Sequence, residues 1–223
     1  MNAKYKSVIF DCDGTLIDTL EDIAAAMNHA LAAHGFPTLR TEEYREKVGW
    51  GLARLATLSM PEDARTEENA QKLGSLASQF MEGQPAEKSL SKVYPGVREL
   101  LAELKARKIK IAVLSNKVDS VLRQVMHDFF SPIVFDAICG LRPGVAPKPD
   151  PAAAWEVLAE MGKNPHETIF VGDSEVDIET AKNSGCYPLG VSWGFRSRAT
   201  LAEAGAAAII DKADEFWDFI GRK

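Results

Sequence analysis

Short apolar runs that stop at polar residues, separated by stretches of helical period, constrain this chain most. Ser7 to Phe10 reads as a buried strand and ends abruptly at Asp11-Cys12-Asp13-Gly14. From Val93 the pattern alternates. Ile109 to Leu114 reads as a strand ending in Ser115-Asn116, Val134 to Cys139 as a short strand, and Thr168 to Val171 as a strand ending at Gly172-Asp173. Tyr187 to Val191 and Ala207 to Ile210 are two more. Helices fill the intervals. One follows Pro95-Gly96, with Val97, Leu100, Leu101 and Leu104 on one face, and another runs through Val121, Leu122 and Val125. A third starts at Asp150-Pro151 and ends at Gly162, a fourth spans Glu175 to Ser184, and Ala213 to Ile220 closes the chain. Such alternation predicts an α/β fold with a Rossmann-like, mainly parallel sheet.

One interval is too long. A parallel crossover needs roughly 30 residues, and the distance from Asp11 to Ile109 is about three times that. The excess is helical. Leu20, Ile23, Met27, Ala30 and Leu31 fall at helical spacing, with Gly35 placed as a stop. Thr41 is a candidate cap for a second helix, broken by Gly49-Trp50-Gly51, and Leu52 to Leu58 and Glu67 to Met81 read as two more. The expected organisation is a catalytic core of residues 1–16 and 85–223, with residues 17–84 inserted as an all-helical cap over the first carboxylates.

Composition narrows the class. A net charge of -6 argues against a nucleic-acid partner, which calls for basic surface. Cys12, Cys139 and Cys186 are too few and too far apart for a disulfide framework, which fits a reducing cytoplasm. Neither a signal peptide nor a membrane span is expected, because the apolar strand after the polar start is only a few residues long. Oligomeric state is not legible in the sequence.

Ligands of parallel sheets bind beyond the carboxyl ends of the strands. The polar residues fall there. Asp11 and Asp13, two apart, can share a face, and Gly14 permits a sharp turn behind them. Asp173 and Asp177 lie one helical turn apart. Taken alone each group has an ordinary reading. Ser115 and Asp173 serve as helix caps, Lys148 as a solvated surface lysine. Together, four clustered carboxylates repel unless protonated or neutralised by a cation, and oxygen ligands select a hard ion such as Mg²⁺. Such an ion commonly shares its shell with a substrate phosphate, and Lys148, in the stiff Pro147-Lys148-Pro149 loop, can hold a further phosphate oxygen. Gly49, Trp50, Gly51 and Arg54 are candidates for substrate choice. Arg54 suits a carboxylate and equally suits a solvated turn.

Asp11-Cys12-Asp13-Gly14-Thr15-Leu16, Ser115-Asn116, Lys148-Pro149 and Gly172-Asp173-Ser174-Glu175-Val176-Asp177, in that order, resemble the haloacid dehalogenase superfamily in its phosphatase branch. The pattern looks most like the phosphoglycolate phosphatases. The resemblance implies Asp11 as nucleophile, giving an aspartyl-phosphate, and Asp13 as general acid and then base. It implies Mg²⁺ held by Asp11, the Asp13 backbone carbonyl and Asp173, with Asp177 behind them. Ser115, the Asn116 backbone and Lys148 would hold the phosphoryl oxygens. The expected activity is hydrolysis of a small phosphorylated metabolite, 2-phosphoglycolate foremost. A phosphosugar mutase or an inorganic pyrophosphatase on the same core are the alternatives. Cys12 is expected to pack in the core, and His29, His34, His127 and His166 match no motif.

Overall fold

The computed structural model describes residues 4–220. The expected ends of the core, residues 1–3 and 221–223, lie outside the described residues. The strands are β1 (Ser7–Phe10), β2 (Ile17–Asp18), β3 (Lys92–Val93), β4 (Lys110–Val118), β5 (Ala137–Leu141), β6 (Thr168–Gly172), β7 (Tyr187–Val191) and β8 (Ala208–Ile210). The helices are α1 (Leu20–Ala33), α2 (Leu52–Ser59), α3 (Glu67–Glu82), α4 (Val97–Ala106), α5 (Asp119–Phe130), α6 (Ala152–Met161), α7 (Glu175–Ser184), α8 (Arg198–Ala204) and α9 (Trp217–Ile220).

Six strands form one sheet in the order β5-β4-β1-β6-β7-β8, and every pairing within it is parallel. β1 is central because Val8, Ile9 and Phe10 make it apolar on both faces, as a doubly covered parallel strand requires. Val8 and Phe10 pack on one side with Val113, Val171 and helix α4, while Ile9 packs on the other with Ala112, Phe170 and α6. The chain leaves β1 for β4 on one side and returns to β6 on the other. The crevice at such a reversal of strand order is where open sheets bind ligands.

The insertion leaves and re-enters the core through an antiparallel ribbon. Ile17 pairs with Val93, and Asp18 with Lys92. Helices α1, α2 and α3 enclose their own apolar core, built on Met27, Leu31, Tyr44, Leu55 and Leu73. Phe195, from the loop after β7, packs into that same cluster.

Several local expectations shift. The segment at Thr41 makes only a short 3-10 turn, Thr41–Tyr44, whose start is held by Glu43 accepting from the Arg40 backbone N–H at 3.0 Å. Strand β4 does not stop at Leu114 but runs through an irregularity to Val118, and β5 lies a few residues later than expected. α6 opens at Ala152, although Asp150 Oδ1 still accepts from the Ala152 N–H at 2.9 Å. The closing helix is split into a 3-10 turn and α9, and α8 was not anticipated.

Candidate active site

Register builds the site. Phe10 pairs with Val113 on one side and Val171 on the other, so Asp11, Ser115 within β4 and Asp173 fall at nearly one level of the sheet. Gly14 then turns the chain back at φ +83°, and a Cβ there would lie 2.3 Å from Asp173 Oδ2. Only glycine satisfies both conditions. Gly172 likewise lets α7 start close to β6, since a Cβ there would meet the Asp177 Cβ at 2.1 Å.

Around this junction the carboxylates are tied down one by one. Asp173 Oδ1 accepts from the Thr15 hydroxyl at 3.2 Å and its Oδ2 from the Phe195 N–H at 2.7 Å. Ser174 caps α7, which frees Asp173 from the capping role it would otherwise have. Asp177 Oδ2 accepts from Ser174 Oγ at 2.6 Å, and its Oδ1 accepts from Lys148 Nζ at 2.6 Å. Lys148 is thus a buried lysine, not a solvated one, with its Nζ also 2.8 Å from Asp11 Oδ1. That second contact is an ion pair off hydrogen-bond alignment, and Asp11 Oδ1 receives no hydrogen bond. Asp13 Oδ1 accepts from the Thr19 hydroxyl at 2.7 Å and pairs with Lys117 Nζ at 3.1 Å.

The electrostatics follow from crowding and burial. Burial first, then the Asp177 charge, push the Asp11 carboxyl up to about 7, with Lys148 opposing. Burial and the charges of Asp177 and Asp11 hold Asp173 well above the usual carboxylate range. Burial works against the Lys148 ammonium, but Asp11 and Asp177 more than offset it and keep its pKa above the ordinary value. Four carboxylates (Asp11, Asp13, Asp173, Asp177) meet two ammonium groups (Lys117, Lys148), a formal excess of two negative charges. Ligand oxygens of Asp11, Asp173 and Asp177 lie within 4.8 Å of one another, all on buried residues. The excess charge and the all-oxygen donor set fit a hard divalent cation.

The model of the family described as haloacid dehalogenase-like hydrolase matches residues 8–191. The chain belongs to that family. Among curated relatives of this haloacid dehalogenase-like hydrolase, the phosphoglycolate phosphatase of Pseudomonas syringae pv. tomato is 32% identical over 209 residues, covering 92% of this chain and 76% of its own. The phosphoglycolate phosphatase of Mannheimia succiniciproducens is 29% identical over 211 residues, covering 92% of this chain and 93% of its own. A crystal structure described as a predicted phosphoglycolate phosphatase from Haemophilus somnus 129pt superposes with a TM-score of 0.88 at 26% identity, over 99% of this chain and 100% of that one.

A cleft opens above the hydrolase's carboxylates. Asp11, Asp13, Ser115, Asn116, Gly49 and Gly51 all line it. The Asn116 side chain is not a free donor there. Its amide donates to the Gly49 and Lys148 carbonyls, each at 3.1 Å, and its Oδ1 accepts from the Lys148 N–H at 2.8 Å, so it ties the Gly49 loop to the lysine loop. Trp50 turns to the α7 start, donating to Glu175 Oε1 at 3.3 Å. Arg54 stands on the exposed side of α2, its guanidinium 4.3 Å from the Trp50 ring centre and outside the cleft lining. Cys12 is wholly buried among Val8 and Phe10, and burial pushes its thiol well above the ordinary range.

Lys117 and Arg196 were not among the candidates. Lys117 had a signal. It lies two residues past Ser115, and a strand continuing beyond Leu114 sends both to one face. Both line the cleft. Arg196 had none, because its partners come from a distant segment. It donates to the carbonyls of Arg45 at 2.7 Å and Val48 at 2.8 Å, and its Nε donates to Glu175 Oε2 at 3.0 Å. With Phe195, it joins the loop after β7 to the segment between α1 and α2.

Proposed function

We propose that this hydrolase cleaves small phosphate monoesters, 2-phosphoglycolate first among them, through an aspartyl-phosphate on Asp11, with Mg²⁺ as its resident cation. One observation carries the reading. A buried carboxylate at the end of the central strand has the Lys148 ammonium 2.8 Å from one oxygen, and Asp13 lines the same cleft two residues on. Asp11 attacks phosphorus, the bond from phosphorus to the ester oxygen breaks, and Asp13 gives that oxygen its proton. Asp13 then takes a proton from water as the water attacks phosphorus, and the bond to Asp11 breaks to release phosphate.

The remaining groups position and stabilise, which is most of phosphoryl-transfer catalysis. Ser115, the Asn116 backbone and Lys148 would hold the phosphoryl oxygens. Asp11, the Asp13 backbone carbonyl and Asp173 would hold the cation, while Asp177 fixes Lys148 and the first turn of α7. When bound, the cation offsets negative charge on the carboxylates and the phosphoryl group. Helices α1 to α3 form the cap, residues 17–84, and shield the reaction from bulk water. Three free cysteines support a reducing cytoplasm as the setting, and no described helix is long and apolar enough to cross a membrane.

A panel of phosphate esters, sugar phosphates and pyrophosphate, assayed with Mg²⁺ and with EDTA, tests the proposal. Mg²⁺-dependent release of phosphate, fastest from 2-phosphoglycolate, is expected. An isomerised sugar phosphate without free phosphate, or preference for pyrophosphate, would replace the reading.

A further inference from the structure

A phosphate ester that also carries a carboxylate brings a second anion into a cleft already rich in negative charge. It needs a cation beyond those that hold the phosphoryl group. Lys148, held between Asp11 and Asp177, is the cation assigned to the phosphoryl group. Arg54 is exposed on α2, and Arg196 is spent on cap carbonyls and Glu175. Among the described residues lining the cleft, Lys117 is the one cation. Its side chain is 5% exposed, and its Nζ pairs with Asp13 Oδ1 at 3.1 Å. An ammonium has three donors, so that contact leaves capacity for another anion.

The surroundings sharpen the point. The cap contributes Ile23, Val48, Leu52, Leu55 and Met81 to the cleft, an apolar wall in which a charge-assisted contact is strong. In a phosphorylated 2-hydroxy acid the carboxylate stands two bonds from the ester oxygen that Asp13 protonates. A cation held against Asp13 is therefore within reach of it. We propose that Lys117 is the carboxylate receptor of this site, taking the acid group of a short phosphorylated 2-hydroxy acid while Asp13 serves the adjoining ester oxygen. The proposal rests on the phosphatase reading and adds the group that selects an acidic leaving alcohol.

The test uses the full chain with Mg²⁺. Wild-type turnover of 2-phosphoglycolate examines the phosphatase reading by itself. Lys117→Met is then compared with wild type on 2-phosphoglycolate and on ethyl phosphate, which lacks the carboxylate. Loss of the Asp13 partner lowers kcat on both esters. Loss of the receptor also raises KM for 2-phosphoglycolate alone, so the ratio of the two kcat/KM values should fall roughly ten- to a hundredfold. Lys117→Arg should keep most of that ratio. An unchanged ratio in Lys117→Met overturns the proposal and leaves Lys117 as a positioning residue for Asp13. A measurement on wild type needs no variant to fold. Glycolate should inhibit ethyl phosphate hydrolysis at least tenfold more strongly than glycolamide, by the same charge-assisted contact. Equal inhibition by the two also overturns the proposal.

Discussion

Replacing Asp11 by Asn should stop turnover and yet make the metal-free protein more stable at pH 8. The carboxyl is raised from 3.8 to about 7, chiefly by burial and then by Asp177. A native-state value above the unfolded one means the folded chain binds the proton more tightly. Stability from this group is fully present below about pH 4 and is lost as pH rises through about 7. At about 1.4 kcal/mol per pH unit the loss is about 4 kcal/mol. Asn carries no charge and escapes it. The unfolding free energy of Asp11→Asn, minus that of wild type, should therefore grow by about 4 kcal/mol between pH 4 and pH 8. Urea denaturation in EDTA at a series of pH values measures it. Mg²⁺ at a hundredfold excess over Kd should narrow the gap at pH 8, because wild type gains about 2.7 kcal/mol and the variant gains less. A difference flat with pH, or one growing against the variant, would refute the reasoning.

Arg196→Met should speed amide hydrogen exchange in residues 45–50 and cost about 3 kcal/mol, since it leaves the Arg45 and Val48 carbonyls and the Glu175 charge without their guanidinium. Unchanged exchange there would show that the cap is held by other contacts. Arg54→Ala should change KM for 2-phosphoglycolate less than about threefold and cost under about 1 kcal/mol, the worth of an exposed stack on Trp50. A tenfold rise would return Arg54 to the binding site.

Strand ends were legible because their chemistry is local. Apolar runs that stop at Asp11 and Asp173 announce a sheet edge, and the register of β1 with β4 and β6 places both there. Lys148 was legible through its stiff loop, although its burial against two carboxylates comes only from the fold. The sequence understates the length of β4, because Ser115-Asn116-Lys117 is polar and nonetheless buried, and a strand ended at Leu114 leaves Lys117 without a place in the site. Arg54 was attractive as a cation beside glycines, but nothing in the sequence fixes which side of α2 faces the cleft. In the structure Leu55 takes that side. Arg196 depends on carbonyls some 150 residues earlier in the chain, with no local pattern to mark it.

Capturing the phosphoryl group on the chain tests the central claim most directly. The protein would be acid-quenched during turnover of 2-phosphoglycolate with Mg²⁺, reduced with borohydride and mapped by peptide mass spectrometry. An acyl phosphate is reduced to an alcohol, so the account predicts homoserine at position 11, present with substrate and absent without it. Aspartate unchanged at position 11 while phosphate is being released, or homoserine at another position, would contradict it.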